Sequence, residues 1–149
     1  MEAIPYSQAR ASLADLFEDA IEHLPTRIDR RRAAPAVLIS LEDLRTLLAG
    51  FDFHPEVLFE SAAVGIWLPE LAIWGRGGSF EDARADLLDE IDELLAQLAA
   101  SPRLRAAPNI VEVLPWIFRL MLADTDDERR KMLFAHPAEE PRALAAAST

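Results

Sequence analysis

Arginines are the side chains most able to do chemistry in the first fifty residues. The densest positive charge of the chain lies at four positions: Arg27, Arg30, Arg31 and Arg32. A guanidinium group can hold a phosphate or a guanine edge through two parallel hydrogen bonds. We therefore expect these arginines to contact nucleic-acid phosphates, although three adjacent arginines cannot share one face of a strand. The plainer alternative is a solvated hairpin tip.

Ser7 and Arg10 form a second candidate for nucleic-acid contact, at the predicted start of a helix. Ser7 is expected to cap this helix, because its hydroxyl can accept a hydrogen bond from a backbone N–H of the first turn. A helix start also attracts phosphate through its free N–H groups. Arg10, one turn further on, is then a candidate DNA contact, or else it pairs with an acidic side chain of the same helix.

The remaining charge of the chain is negative and unevenly distributed. Residues 1–50 carry six basic and eight acidic side chains, whereas residues 51–149 carry nine and eighteen. With a net charge of −11, the protein cannot bind nucleic acid through its bulk charge, so any binding must rest on the local arginines. The acidic second part suits a basic protein partner instead.

A long helix predicted in the second part has a strongly acidic face that is a candidate docking surface for a basic protein. The candidate residues on it, together with two aromatic side chains further along the chain, are Asp86, Asp89, Glu90, Glu93, Trp116 and Phe118. Charge complementarity would speed association with such a partner, but a face of this kind is more often simply solvated. Trp67 and Trp74 are possible interface anchors as well, although we expect them to pack inside the second part.

Catalytic and metal-binding patterns are not found in the sequence. The chain has no cysteine, and its three histidines lie far apart without metal-ligand or triad spacing: His23, His54 and His136. Gly75–Gly78 lacks the following Lys-Ser/Thr pair that a phosphate-binding loop requires. We therefore expect no enzyme activity, no metal and no cofactor.

The elements that position the arginines are predicted as a small sheet with two helices. Short strands are expected at residues 3–6, 26–30 and 36–39, the last two as a hairpin. An amphipathic helix follows Ser7 and ends before Pro25, and a second helix runs from Ser40 to Gly50. The expected core or dimer residues of this part are Leu13, Leu16, Phe17, Val37 and Ile39.

The second part predicts a small antiparallel sheet followed by the long acidic helix. Strands are expected at residues 57–59, 64–67 and 71–74, and Gly75–Gly78 is expected to be a loop. Ser79 then caps a helix with a continuous apolar stripe opposite the acidic face.

Further helices are predicted beyond residue 101. Ile110–Leu122 is apolar almost all round, with Asn109 as the expected cap. It is too short to cross a bilayer, so we expect it to be buried against its own domain, a dimer mate or another protein. Thr125 caps a last helix, and the tail from His136, rich in Ala, Pro and Glu, is expected to be loose.

The first fifty residues resemble the N-terminal module of Phd/YefM antitoxins. The segments that carry the resemblance follow the family's order and spacing: 4–10, Leu13, 28–31 and 35–40. The resemblance implies a homodimer whose paired modules form one DNA-reading surface. It also implies a C-terminal segment that wraps and inhibits a toxin, usually a small ribonuclease. Ser7 and Arg10 match the family's helix start, and Arg30 and Arg31 match its basic hairpin.

The sequence departs from this family pattern at three places. Asp29 stands where the family often has Thr or Ser, and its negative charge weakens phosphate binding locally. Arg32 lies where a Gly is frequent, which leaves the conformation of the turn open. A folded second part is itself a departure, because ordinary Phd/YefM proteins have a short, partly disordered C-terminus.

Residues 56–98 are similar to a different module, the HicB-like antitoxin domain with its incomplete ribonuclease-H-like fold. The similar segments occur in that module's order: 64–71, 74–77 and 79–83. They read as a strand, a turn containing proline, a second strand, a glycine loop and a helix start.

Together these patterns predict an α+β protein with four segments. They are a DNA-binding and dimerisation module at 1–50, an α/β unit at 51–100, helices at 101–135 that contact a toxin or a dimer mate, and a flexible tail at 136–149. A cytoplasmic location is expected, because cysteine is absent and Glu2 stands where a signal peptide needs basic residues.

Three functions are compatible with this organisation. The favoured one is the antitoxin of a type II toxin–antitoxin system, a homodimer that neutralises a small basic ribonuclease and represses its own operon at operator DNA. A stand-alone dimeric transcription regulator with a ligand-sensing second part is the alternative. A scaffold dimer that binds no DNA is the third.

Overall fold

The computed structural model describes residues 1–134, which divide into two compact units between Ala49 and Gly50. Each unit combines helices with a sheet of three strands. The predicted α+β class is therefore confirmed. The tail predicted from His136 lies outside the described residues.

The sheet of the first unit consists of β1 (Ala3–Pro5), β2 (Thr26–Asp29) and β3 (Ala36–Leu38) in that order. β1 is parallel to β2, and β2 and β3 form the predicted antiparallel hairpin. Pro5 lies in an edge strand, which suits a residue without a backbone N–H to donate.

The helices of the first unit are α1 (Tyr6–Ala11), α2 (Leu13–Ile21) and α3 (Leu41–Leu48). The single helix predicted before Pro25 is wrong, because it is interrupted at Ser12. The Ser12 hydroxyl donates to the carbonyl of Gln8 at 2.9 Å, and a bond of this kind back to the preceding turn often bends a helix.

Two predicted caps of the first unit have different outcomes. Ser7 is not a cap: α1 begins at Tyr6, the capping position is taken by Pro5, and no side-chain cap bond forms there. Ser40 does cap α3, since its Oγ accepts from the backbone N–H of Asp43 at 3.1 Å and donates to that carboxylate at 2.8 Å. The reciprocal bond fixes the start of α3.

The core of the first unit is small. Ile4, Ala9 and Leu16 are buried, and Ile28 and Leu38 pack against them. One strand residue from each of β1, β2 and β3 thus meets one residue from each of α1 and α2.

The second unit begins with an antiparallel sheet of β4 (Glu56–Glu60), β5 (Ala63–Leu68) and β6 (Ile73–Gly77). Its helices are α4 (Phe80–Ala100), α5 (Pro102–Arg105), α6 (Pro108–Met121) and α7 (Asp126–Phe134). No helix within residues 1–134 combines the length and apolar character that crossing a membrane requires.

Gly75 and Gly77 belong to β6, so the loop predicted at Gly75–Gly78 is wrong. A Cβ at Gly75 would lie 2.2 Å from the carbonyl oxygen of Ala83, and one at Gly77 would lie 2.4 Å from Cβ of Asp82. The two glycines therefore allow β6 to lie directly against α4.

Side-chain caps start two of the helices in the second unit, as predicted. Ser79 accepts from the backbone N–H of Asp82 at 3.2 Å, and Thr125 accepts from that of Glu128 at 3.2 Å. Asn109 is not a cap, because α6 begins one residue earlier at Pro108. Proline is favoured at a first helical position, where its missing N–H costs nothing.

The core of the second unit lies between the inner face of the sheet and the helices. Side chains from β5, α4, α6 and α7 contribute to it: Val64, Ile66, Leu68, Leu87, Ile91, Leu120 and Leu133. The C-terminal helices thus belong to the same core as the sheet.

Candidate functional site

Three of the candidate arginines line one open concavity in the first unit. Arg27, Arg30 and Arg31 lie around a volume of about 420 Å³ beside the backbone of β1. Ser7, Arg10 and Arg32 are not part of this lining. The structure therefore brings together half of the predicted DNA-binding residues.

The charge of this concavity is reduced by an internal ion pair. Arg27 Nε donates to Asp29 Oδ1 at 2.8 Å, and both side chains are about half exposed at 49% and 47%. Alternate residues of a strand point to the same side, which brings the two together on β2. An exposed pair of this kind is weak, so Arg27 can exchange Asp29 for another anion at little cost.

Arg30 is positioned by an aromatic ring. Its guanidinium carbon lies 5.5 Å from the ring centroid of Tyr6, a distance at which a cation is attracted to the ring face. The ring restricts the side chain while leaving its N–H groups available in the concavity.

Arg31 and Arg32 lie in the turn between β2 and β3. Arg32 has a φ of 61°, in the left-handed region where non-glycine residues are uncommon. The turn thus adopts the backbone conformation that favours glycine, although an arginine occupies it.

Arg10 is exposed, and it lies in the last turn of the six-residue helix α1. The carbonyl end of α1, rather than its amide end, is therefore next to Arg10. A positive side chain is favourable there, but the phosphate site expected at a helix start is not formed beside it.

Helix α2 is apolar on two sides. Leu16 and Ala20 are buried on one side, whereas Leu13, Phe17 and Ile21 are each more than half exposed, as is Leu24 just beyond the helix. We call the exposed set the α2 stripe: Leu13, Phe17, Ile21 and Leu24. Of the other predicted core or dimer residues, Val37 is exposed and Ile39 is half-buried. An exposed apolar patch on a small unit is typical of an interaction surface.

The acidic face of α4 is partly engaged within the chain. Asp86 Oδ2 accepts from the backbone N–H of Arg76 at 2.8 Å, and Glu93 accepts from Gln97 at 2.9 Å. Asp89 and Glu90 are exposed. This face therefore offers fewer available carboxylates than the sequence implies.

The two aromatic candidates of α6 differ in their surroundings. Trp116 donates from its indole N–H to the carbonyl of Asp52 at 3.0 Å, and its ring meets that of Phe51 edge-on at 5.1 Å. Phe118 is 44% exposed. Trp116 thus fixes the start of the second unit, while only Phe118 is available to a partner.

Neither Trp67 nor Trp74 packs inside the second unit, so the expectation for both residues is wrong. Trp74 is 37% exposed and lies with Trp67 on the outer face of the sheet, their ring centroids 4.9 Å apart. Ile66 and Leu68 point inward, and strand alternation then turns Trp67 outward. This alternation is visible in the sequence, so the outward position of Trp67 could have been predicted.

No metal centre is found within residues 1–134, where no three His, Asp or Glu side chains group as metal ligands would. The features that remain are the arginine concavity, the α2 stripe and the surfaces of the second unit.

Comparison with known proteins identifies the class of protein to which this chain belongs. A family model described as a PHD-like antitoxin of toxin–antitoxin, RelE/RelB, TA system matches residues 1–135. The match spans both units, and the chain therefore belongs to this family of antitoxins. Membership implies a toxin as a partner.

A solved structure has the same fold. It is a crystal structure from Syntrophomonas wolfei subsp. wolfei, described as an antitoxin part of a proposed toxin/antitoxin system. Sequence identity is 18%, the alignment covers 90% of this chain and 97% of that chain, and the TM-score is 0.76. A comparison with curated proteins gives no match.

Proposed function

We propose that this chain is a non-enzymatic type II antitoxin that pairs into a dimer, represses its own operon and neutralises a co-encoded toxin. The family match over residues 1–135 carries the antitoxin assignment. Dimerisation, operator binding and toxin neutralisation are each supported by a separate surface of the chain.

The α2 stripe supports dimerisation. Its side chains are apolar, adjacent along one side of the chain and exposed in a single copy. Burial of apolar surface is the main driving force for such association, and it contributes about 25 cal/mol per Å² removed from water. A second copy of the same stripe is a self-complementary partner, as twofold symmetry requires.

The arginine concavity supports operator binding. Arg27, Arg30 and Arg31 outnumber the one carboxylate, Asp29, that lines it. Dimerisation would double this local charge, and phosphate contacts from both copies would set the register on the duplex. Ser7, Arg10 and Arg32 are proposed as flanking contacts.

The acidic second unit supports binding of a basic toxin. Between Gly50 and Phe134 the sequence has sixteen acidic and eight basic side chains. We propose a small basic ribonuclease as the toxin. The candidate contacts on the helices are Asp86, Asp89, Glu90, Glu93 and Phe118, with Trp116 in a supporting position.

A mobility-shift titration with the DNA upstream of the gene tests the operator part of the proposal. Arg30→Ala is expected to weaken binding and to lower the slope of log K against log salt by about 2, since each of two lost phosphate contacts contributes about 0.9. Arg103→Ala, an exposed arginine of the second unit, is the matched control and should leave both quantities unchanged. Wild-type protein that gives no shift would refute operator binding and leave a dimer without DNA.

A stand-alone regulator remains a second candidate because the second unit has an open apolar concavity. Its volume is about 840 Å³, and Leu104 and Pro108 line it near the junction of α4, α5 and α6. A toxin gene adjoining this one supports the antitoxin, and its absence supports the regulator. The Phd/YefM-like and HicB-like assignments of the two units stay hypotheses.

A further inference from the structure

The outer face of the sheet in the second unit has an ordered pattern. Glu56 of β4 lies opposite Trp67 of β5, which lies opposite Trp74 of β6. In the next outward-facing row, Leu58 lies opposite Gly65, and Gly65 lies opposite Arg76. Residues directly opposite in a sheet share a face, so two tryptophans, a leucine and an arginine form one continuous surface. We call it the tryptophan face.

The inner core of the second unit does not require the tryptophan face. The buried cluster formed by residues 50–134 includes Ile66 and Leu68, from the alternate positions of β5, but neither Trp67 nor Trp74. Trp74 is 37% exposed, and Arg76 is exposed beside it. A contiguous surface patch that contains large aromatic side chains is typical of an interaction surface.

The side chains of the tryptophan face are held in place before any partner arrives. The Trp67 and Trp74 rings are tilted by 36° at 4.9 Å, and the guanidinium of Arg76 lies 5.8 Å from the Trp74 ring. A Cβ at Gly65 would touch Trp74 at 3.4 Å, so the ring lies across the glycine. Binding to a pre-ordered surface costs less side-chain entropy.

The composition of this face matches the centre of a protein–protein interface. Trp and Arg are the residues most enriched among those that dominate binding energy, and they sit in apolar centres with a polar rim. Glu56 and Glu60, at the ends of β4, supply such a rim on the edge strand.

A protein with basic groups is favoured over nucleic acid as the occupant. Stacked tryptophans can bind unpaired bases, but Glu56 and Glu60 are exposed along the same edge strand and the whole unit has twice as many acidic as basic side chains. Those charges repel phosphates and attract a basic protein.

We infer that the tryptophan face is the docking surface of the toxin, with Trp74 at its centre and Glu56 and Glu60 facing basic groups of that protein. This inference rests on the proposed antitoxin function, and it places the main toxin contact on the sheet rather than on the acidic face of α4.

Isothermal titration calorimetry against the product of the adjoining reading frame tests the inference. Trp74→Ala should weaken binding by at least about tenfold, as expected for a central tryptophan. Phe59→Ala is the matched control, because Phe59 is 65% exposed on the same sheet but points to the other face. The affinity of this variant for the toxin should stay within about twofold of wild type, as for contacts outside the energetic centre. Glu56→Lys is a second variant that changes only an exposed side chain, and it should also weaken binding because it places a positive charge opposite the basic groups of the partner.

The outcomes separate this inference from the proposed function. Wild-type binding that neither Trp74→Ala nor Glu56→Lys changes would overturn the tryptophan face while retaining the antitoxin. A wild-type chain that does not bind this product would overturn both. If the variants keep the wild-type affinity for the toxin but lose affinity for a short labelled single-stranded RNA, the occupant of this face is nucleic acid. If they instead lose self-association in sedimentation, the occupant is a second copy of this chain.

Discussion

Single residues decide where the first unit is sensitive to acid. The Ser40 hydroxyl, followed by a hydrogen bond from His23, lowers the pKa of Asp43 below its usual value of 3.8. The His23 Nδ1 lies 2.7 Å from Asp43 Oδ1. The Asp43 carboxylate therefore accepts hydrogen bonds from Ser40, at the start of α3, and from His23, just after the end of α2.

Asp43→Asn is expected to remove part of the acid sensitivity of the fold. Since the folded-state pKa is lowered, the carboxylate stabilises the protein above its usual pKa, and this stability is lost as the pH falls through the lower value. Thermal unfolding of the full chain at a series of pH values around and below 3.8 measures the effect. Glu42→Gln, on the exposed neighbouring position, is the control; equal pH profiles for wild type and Asp43→Asn would refute the role of Asp43.

Gly75 is the residue whose replacement we expect to be most damaging. The Cβ of an alanine there would meet the backbone of α4 at 2.2 Å and Cβ of Leu87 at 2.5 Å, so β6 and α4 must separate. Overpacking of this kind costs about 1–3 kcal/mol or more, measured by chemical unfolding followed by circular dichroism. Gly50→Ala, with open space around the new Cβ, should change stability by less than about 1 kcal/mol; similar losses in both variants would contradict the close approach.

At the scale of elements, local sequence signals predict most of the fold. The hairpin and the capped helices α3 and α4 follow from spacing and cap residues. Gly75 and Gly77 could not be placed this way, because a glycine that admits a neighbouring helix and a glycine that forms a loop look alike in sequence. The extent of β6 depends on α4, which local patterns do not include.

The candidate surfaces were predicted to a similar extent. Arginine identities are evident in the sequence, and the contact of Arg27 with Asp29 follows from their spacing on one strand. The gathering of Arg27, Arg30 and Arg31 beside β1 depends on the parallel pairing of β1 with β2. The outward position of Trp67 follows from its alternation with Ile66 and Leu68, but its position opposite Trp74 depends on the register of β5 and β6, so the tryptophan face was missed.

Helix α2 carries the prediction that belongs to the element scale. Phe17→Asp places a charge in the α2 stripe and should raise the dissociation constant of the dimer by at least roughly thirtyfold, the effect of losing about 2 kcal/mol at the centre of an interface. Light scattering over a concentration series measures it. Phe59→Asp changes a side chain of similar exposure in the second unit and should leave the dimer intact. A monomeric wild type would contradict the stripe as an interface.

On the scale of the whole molecule, two units of different charge suggest two partners. The first unit is nearly balanced, with six basic and eight acidic side chains in residues 1–50, and its arginines are concentrated at one hairpin. The second has eight basic and sixteen acidic side chains between Gly50 and Phe134. We expect the first unit to bind DNA and the second unit to bind a basic protein. Repression of the promoter by this chain would then depend on the amount of toxin present.

We propose above all that this chain neutralises a toxin encoded beside it. Inducible expression of the adjoining reading frame, with and without this chain on a second plasmid, tests it most directly through cell growth and co-purification. We expect the adjoining product alone to arrest growth, and co-expression of this chain to restore growth and yield a stable complex of the two proteins. Growth arrest that persists with abundant folded chain, or two proteins that elute separately, would contradict the account.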